Sequence, residues 1–226
     1  FECLAPRRRV PFIVETMIAF GQRVEDTLIF MYDLFAFIGQ VFIRLVLNIR
    51  HPSHFRLGSI VRHINETGIR ALPIICLLAV LMSMVIAYQA NIQLHKFGAS
   101  VYTIDLTVIS LLREMGVLIT AIMVAGRSGS AFAAEIGVMK LREEVDALKT
   151  IGLDPIEILV LPRVLALMIV LPLLTFAADV TGLTGGALMS ITILDIPLSQ
   201  FLQRTQSVAT PLMFFVGMIK APVFAF

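Results

Sequence analysis

Charge is what this sequence has least of. Only 15% of its 226 residues are Asp, Glu, Lys or Arg, against about 25% in an ordinary soluble domain. Cysteine is scarce too: Cys3 and Cys76 stand far apart, and Cys76 lies inside an apolar run. That excludes a disulfide framework and a cysteine-based metal site. His51, His54 and His63 are irregularly spaced in a basic stretch, which reads as an interfacial surface and not as a ligand set. A formal net charge of +2 supplies no global basic field, so no nucleic acid is expected as a partner.

Two enzymatic motifs are also missing. Gly126, Ser128, Gly129, Ser130 and Ala131 resemble a nucleotide loop, but no Lys follows a Gly at the spacing a P-loop requires. The nucleophile-elbow pattern fails because Ser130 stands where its second glycine belongs. Small residues in such a run ordinarily allow close helix packing. The chain is therefore expected to be no enzyme, with no catalytic residue, metal or cofactor of its own.

What is there is apolar. The chain is 58% hydrophobic with a mean hydropathy of +0.91, and its apolar residues come in blocks long enough to cross a bilayer. The reading is an all-α integral membrane protein. Spans are expected at about 71–90, 106–125, 158–190 and 207–226. Ala71–Ala90 contains no charge, and Pro73 falls in its first turn, where a missing N–H costs little. Asn91–Asp105 reads as a short exit loop. Val164–Leu194, interrupted by Pro172, Asp179, Gly182, Gly185 and Gly186, would be about 46 Å long as a helix. A hydrocarbon core is about 30 Å thick, so this segment must tilt, kink or protrude before Asp195-Ile196-Pro197 ends it.

Residues 1–54 read differently. Glu15, Arg23, Glu25, Asp26, Asp33 and Arg44 alternate with apolar residues, which suggests one or two amphipathic helices in the headgroup plane. A true span over the fatty run Leu28–Val41 is the competing reading, and His51-Pro52 is the expected break. Phe1 is not Met, Arg7-Arg8-Arg9 is followed by no signal-peptide cleavage site, and Phe226 lies in an apolar run without a polar stop. Sequence is expected on both sides.

Orientation follows from the cations. Residues 1–72 hold nine Lys or Arg and 127–163 hold five, while the opposite loops hold only Lys96 and Arg204. That asymmetry puts the N-terminus and the long loop in the cytoplasm.

The stretch Leu111–Arg163 organises the rest. A polar loop, 127–157, of roughly 30 residues sits between two apolar segments, too long for a turn and too helical in pattern for a linker. In Ala131–Thr150, Ile136, Met139, Val145 and Leu148 fall near helical spacing, with Glu135, Glu143, Glu144 and Asp146 as acidic groups. A solvated helix on the headgroups is one reading. A helix docking into a partner is the preferred one, because acidic side chains suit a protein groove better than an anionic leaflet. Arg113, Glu114, Asp179 and Lys220 lie at membrane depth, where each costs about 2.5–3.5 kcal/mol at a helix centre. They read as a structural polar cluster, as the lining for a substrate with a charged head and an apolar tail, or as a proton relay.

Ser110-Leu111-Leu112-Arg113-Glu114-Met115-Gly116, Ala125-Gly126-Arg127-Ser128-Gly129-Ser130-Ala131, Ala134-Glu135-Ile136-Gly137-Val138-Met139, Glu143-Glu144-Val145-Asp146-Ala147-Leu148 and Gly152-Leu153-Asp154-Pro155 with Pro162-Arg163 resemble the MlaE-type permeases. These are membrane subunits of ABC transporters that act with MCE-domain proteins on lipids. The resemblance covers roughly 55–226, the expected permease domain, and is most specific over 110–163; Glu144 and Ile151 depart from the family's usual Gln and frequent Met.

The resemblance implies a homodimer with an N-terminal interfacial helix and about five spans per subunit, the fifth beyond the sequence given. It implies an ABC ATPase dimer, holding ATP and Mg, on a cytoplasmic coupling helix, and a periplasmic MCE-protein ring on the other side. A STAS-domain protein is a further possible partner. The implied activity is transport of phospholipid or a related lipid between inner and outer membrane, maintaining outer-membrane lipid asymmetry, from a seat in the bacterial inner membrane. Arg113, Glu114 and Lys220 are expected at the lipid head, and Tyr88, Leu94 and Phe97 at an apolar mouth. Glu135, Met139, Arg142, Glu143, Glu144 and Asp146 are expected at the ATPase. Two alternatives remain: an ion-coupled transporter using Glu114 and Asp179, and a scaffold that only anchors an MCE ring.

Overall fold

The computed structural model describes residues 12–50, 57–193 and 196–226, and every regular element within them is a helix. Cys3, Arg7–Arg9, His51, Pro52, His54 and Asp195 lie outside the described residues. The chain divides into two units, Phe1–His54 and Phe55–Phe226.

The described residues of the first unit form one helix, α1 (Phe12–Arg50, 39 residues). It contains no proline, so nothing interrupts its hydrogen-bond ladder. Two helices were one form of the expectation; the element is unbroken. Its section Thr16–Leu47 is also long and apolar enough to cross a membrane. By length and composition α1 therefore meets the competing span reading.

In the second unit, α2 (Leu57–Ile64), a π-turn at Asn65–Ile69 and α3 (Leu72–His95) run on as an apolar helix over Gly58–His95. Then α4 (Tyr102–Ser110), α5 (Gly116–Val124) and α6 (Ser130–Leu141) join through π-turns at Leu111–Met115 and Ala125–Gly129 into a helix over Tyr102–Leu141. A short α7 (Glu144–Thr150) follows. A π-turn at Ile156–Val160 leads into α8 (Leu161–Thr192), giving an apolar helix over Ile156–Thr192. Last come α9 (Leu198–Val208) and α10 (Pro211–Ala225).

Three expectations are corrected. The exit loop shrinks from Asn91–Asp105 to the six residues between α3 and α4, because no helix breaker precedes Gly98, which turns the chain at φ +67°. The fourth span is not a straight 207–226: α9 and α10 meet at 72°, and α10 starts only at Pro211. A proline disfavours helical geometry in the residue before it, and Thr210 is extended with ψ 139°. The helix expected over 131–150 is broken, because Glu143 adopts left-handed geometry at φ 58° between α6 and α7.

The core forms around α8, which packs against α3, α5 and α10. Ile75 and Ala79 of α3, Val117 of α5, Leu171, Leu174 and Ala178 of α8 and Ala221 of α10 are all buried in one cluster. Small residues set the spacing. A Cβ at Gly185 would lie 2.5 Å from the Val80 carbonyl oxygen, so the α8 and α3 backbones approach as closely as they do only because position 185 has no side chain.

Candidate functional site

The membrane-depth charges are organised by the π-turn Leu111–Met115. Here the N–H of Gly116 bonds to the carbonyl of Leu111 five residues back, which widens the helix; such bulges recur at functional sites. Helix α10 enters at the widening. Gly217 lies against the Leu112 carbonyl, where any Cβ would overlap the oxygen. Lys220, one turn further along α10, then reaches the bulge. Its Nζ donates to the Arg113 carbonyl at 3.2 Å and to Glu114 Oε1 at 2.8 Å.

Arg113 Nε lies 3.6 Å from the same Glu114 oxygen. Adjacent helical residues point about 100° apart, so the neighbour is the weaker partner and Lys220 the stronger. Two cations share one carboxylate, which leaves the cluster one net positive charge. All three side chains are partly open, Arg113 most of all at 56% exposure.

Asp179 is different. It is 1% exposed, neither carboxylate oxygen has a hydrogen-bond partner, and it lies against Gly116, where a Cβ would overlap Oδ1. It joins no ion pair with the other three charges. Tyr88 and Leu94 lie on α3 and Phe97 in the turn after it. Tyr88 and Phe97 are exposed and Leu94 is half-buried.

At the loop, Glu135 and Met139 lie on α6, Arg142 and Glu143 at the break, and Glu144 and Asp146 on α7. Arg142 approaches Glu144 at 3.8 Å and Lys149 approaches Asp146 at 3.2 Å, both on the surface. Met139, Val145, Leu148, Ile151, Ile158 and Leu159 line an apolar groove of about 320 Å³.

Glu135 already has one partner within the chain. Arg163 of α8 holds it at 2.7 Å and stacks over Phe132, 5.0 Å from the ring centroid. Sequence reasoning did not single out Arg163 as a site residue. The available signal was a guanidinium directly after Pro162 at the head of an apolar helix, which requires an acidic partner if buried.

A family model described as Permease MlaE matches residues 60–226. The chain belongs to the MlaE permease family. A probable ABC transporter permease protein of Rickettsia conorii is 36% identical over 178 residues, 79% of this chain and 68% of that protein. A probable ABC transporter permease protein of Synechocystis is 33% identical over 206 residues, 90% of this chain and 76% of the relative. The intermembrane phospholipid transport system permease protein MlaE of Haemophilus influenzae is 35% identical over 173 residues, 76% and 66% of the two chains. The matched region includes both the π-turn cluster and the loop groove. With four helices among the described residues long and apolar enough to cross a bilayer, this MlaE-family chain is a multi-pass membrane permease.

Proposed function

We propose that this permease is the membrane subunit of an ABC transporter that moves phospholipid, or a related lipid, between inner and outer membrane and so maintains outer-membrane lipid asymmetry. The observation that carries the reading is the Lys220–Glu114–Arg113 cluster. It puts one net positive charge, partly open, at a helix widening between otherwise apolar segments. An anionic headgroup matches that charge, and apolar surface at Tyr88, Leu94 and Phe97 suits acyl chains. The name of the Haemophilus relative supports the lipid assignment.

The chain works as a homodimer in the bacterial inner membrane with its N-terminus in the cytoplasm. An ABC ATPase dimer, which holds ATP and Mg, seats on the apolar groove lined by α6, α7 and the π-turn before α8, Glu144 included, and also meets Arg142, Glu143 and Asp146. An MCE-protein ring caps the periplasmic side, and a STAS-domain protein joins the ATPase. Closure of the ATPase moves α6, and the Glu135–Arg163 pair passes that motion to α8. Because α8 packs on α5 and α10, the Lys220 cluster is repositioned and the lipid head is released or gripped.

The test is ATP hydrolysis by the complex in lipid nanodiscs, with mass spectrometry of co-purifying subunits and lipids. Val145→Glu with Leu148→Glu, which charges the groove, is expected to release the ATPase and leave the permease folded. If no ATPase ever co-purifies, the ABC reading falls. A second reading, ion-coupled transport, draws on the buried and unpartnered Asp179. It requires flux without ATP that Asp179→Asn abolishes.

A further inference from the structure

The two carboxylates and two arginines around one loop-side cavity are not paired with one another. A cavity of about 220 Å³ is lined by Glu66, Thr67 and Arg70 from the first π-turn region, Arg127 and Ser128 from the π-turn after α5, and Glu135 from α6. Glu66 is bonded by Arg62 at 3.2 Å, and Glu135 is held by Arg163 at 2.7 Å. Each acid therefore already has its own cation. The side chains of Arg70 and Arg127 have neither an ion pair nor a hydrogen bond among the described residues.

The hydroxyls tell the same story. Thr67 is 1% exposed and Ser128 6% exposed, yet neither hydroxyl bonds within the described residues. Nearby Ser130, by contrast, donates to the Gly126 carbonyl at 2.7 Å, as a helical serine usually does. Two unpaired guanidiniums and two unspent hydroxyls thus converge on one space from two different helices.

Depth narrows the ligand. Arg70 immediately precedes the uncharged run Ala71–Ala90, and Arg127 immediately follows the uncharged run Met115–Gly126. Both arginines therefore stand where helix emerges from hydrocarbon, at the level of lipid phosphates. A guanidinium fork matches two phosphate oxygens, and hydroxyls supply further donors. Arg127 is thirteen residues beyond Glu114, about 20 Å along the helix, so this is a separate place from the Lys220 cluster.

We propose that Arg70, Arg127, Thr67 and Ser128 form a binding site for a phosphodiester anion, the headgroup phosphate of a lipid in the leaflet at the loop side. Bound there, the phosphate ties the head of α3 to the start of α6, next to the Glu135–Arg163 link.

The test uses the full chain, delipidated and exposed to vesicles of phosphatidylcholine with or without phosphatidylglycerol, with retained lipid counted by native mass spectrometry. Arg70→Gln with Arg127→Gln is expected to reduce retained phosphatidylglycerol about tenfold, the loss of roughly one charge-assisted contact. Lys140→Gln, which removes a loop charge outside the cavity, is expected to change nothing. Inorganic phosphate, added at ionic strength matched with chloride, separates the sources. If it leaves the lipid bound, the headgroup is the ligand; if it displaces the lipid and binds in its stead, the site takes soluble phosphate and the lipid assignment is overturned. Wild-type retention in the double variant overturns the site altogether. Should the double variant fail to fold, Arg127→Lys, which keeps the charge and removes the fork, carries the test, and undiminished retention again overturns it.

Discussion

Arg163, only 5% exposed at the start of α8, holds Glu135 of α6 at 2.7 Å. The pair joins the loop helix directly to the helix at the centre of the core. Its two members sit in unequal surroundings: the Arg163 side chain is 6% exposed, that of Glu135 45%. Removing the acid strands a buried guanidinium, whereas removing the base leaves a carboxylate that water can reach.

The inequality gives the first prediction. Glu135→Ala is expected to cost about 2–4 kcal/mol, and Arg163→Met, which keeps apolar volume, about 1–2 kcal/mol. Thermal unfolding of the purified chain in one detergent checks the order. A larger loss from Arg163→Met than from Glu135→Ala would mean that Arg163 contributes through its contact with Phe132 and not through the pair.

The Lys220–Glu114 pair makes a second prediction, on function. Glu114→Lys places three cations together and is expected to lower lipid flux at least about tenfold, as loss of a charged hydrogen bond does. Adding Lys220→Glu restores opposite charges across the same contact and is expected to recover much of that flux. Proteoliposomes containing the complete transporter give the readout, and a double variant no better than the single would show that the pairing is not what matters.

Packing provides a third. Gly185→Ala puts a methyl 2.5 Å from the Val80 carbonyl oxygen, whereas the same change at Gly126 meets nothing within 4 Å. The first is expected to destabilise by about 1–3 kcal/mol, as overpacking does. Gly126→Ala is expected to be neutral or slightly stabilising, since alanine favours helix. Unfolding midpoints of the two variants side by side decide it.

Glu143 supplies a fourth. Its φ of 58° is strained for a residue with a side chain, and glycine relieves about 1 kcal/mol of such strain. Glu143→Gly is expected to raise stability slightly and to leave association with the proposed ATPase intact, because the break between α6 and α7 shapes the groove. Loss of association in a well-folded Glu143→Gly permease would mean that the ATPase reads the carboxylate itself.

Much of this was legible in the residues. The 20-residue uncharged run Ala71–Ala90 dictates a helix at membrane depth whatever surrounds it, because an unpaired backbone cannot cross hydrocarbon. The motif from Ser110 to Arg163 pointed to the family that the match over 60–226 shows. Helix limits were less legible. Hydropathy reports where charge begins, but α3 continues five residues past Ala90 to His95 because polar residues such as Asn91 and Gln93 tolerate helix.

By itself, then, the sequence determined the helical class, the membrane setting, the family and the identity of the buried-depth charges. Tertiary structure alone decided their partners. Lys220 finds Glu114 across 106 positions because Gly217 lets α10 press into a widened turn, and Arg163 finds Glu135 because α8 begins beside α6. Hydropathy and periodicity act within a segment. A pairing between segments depends on which backbones approach closely enough, and that is settled by where the small residues of different helices meet.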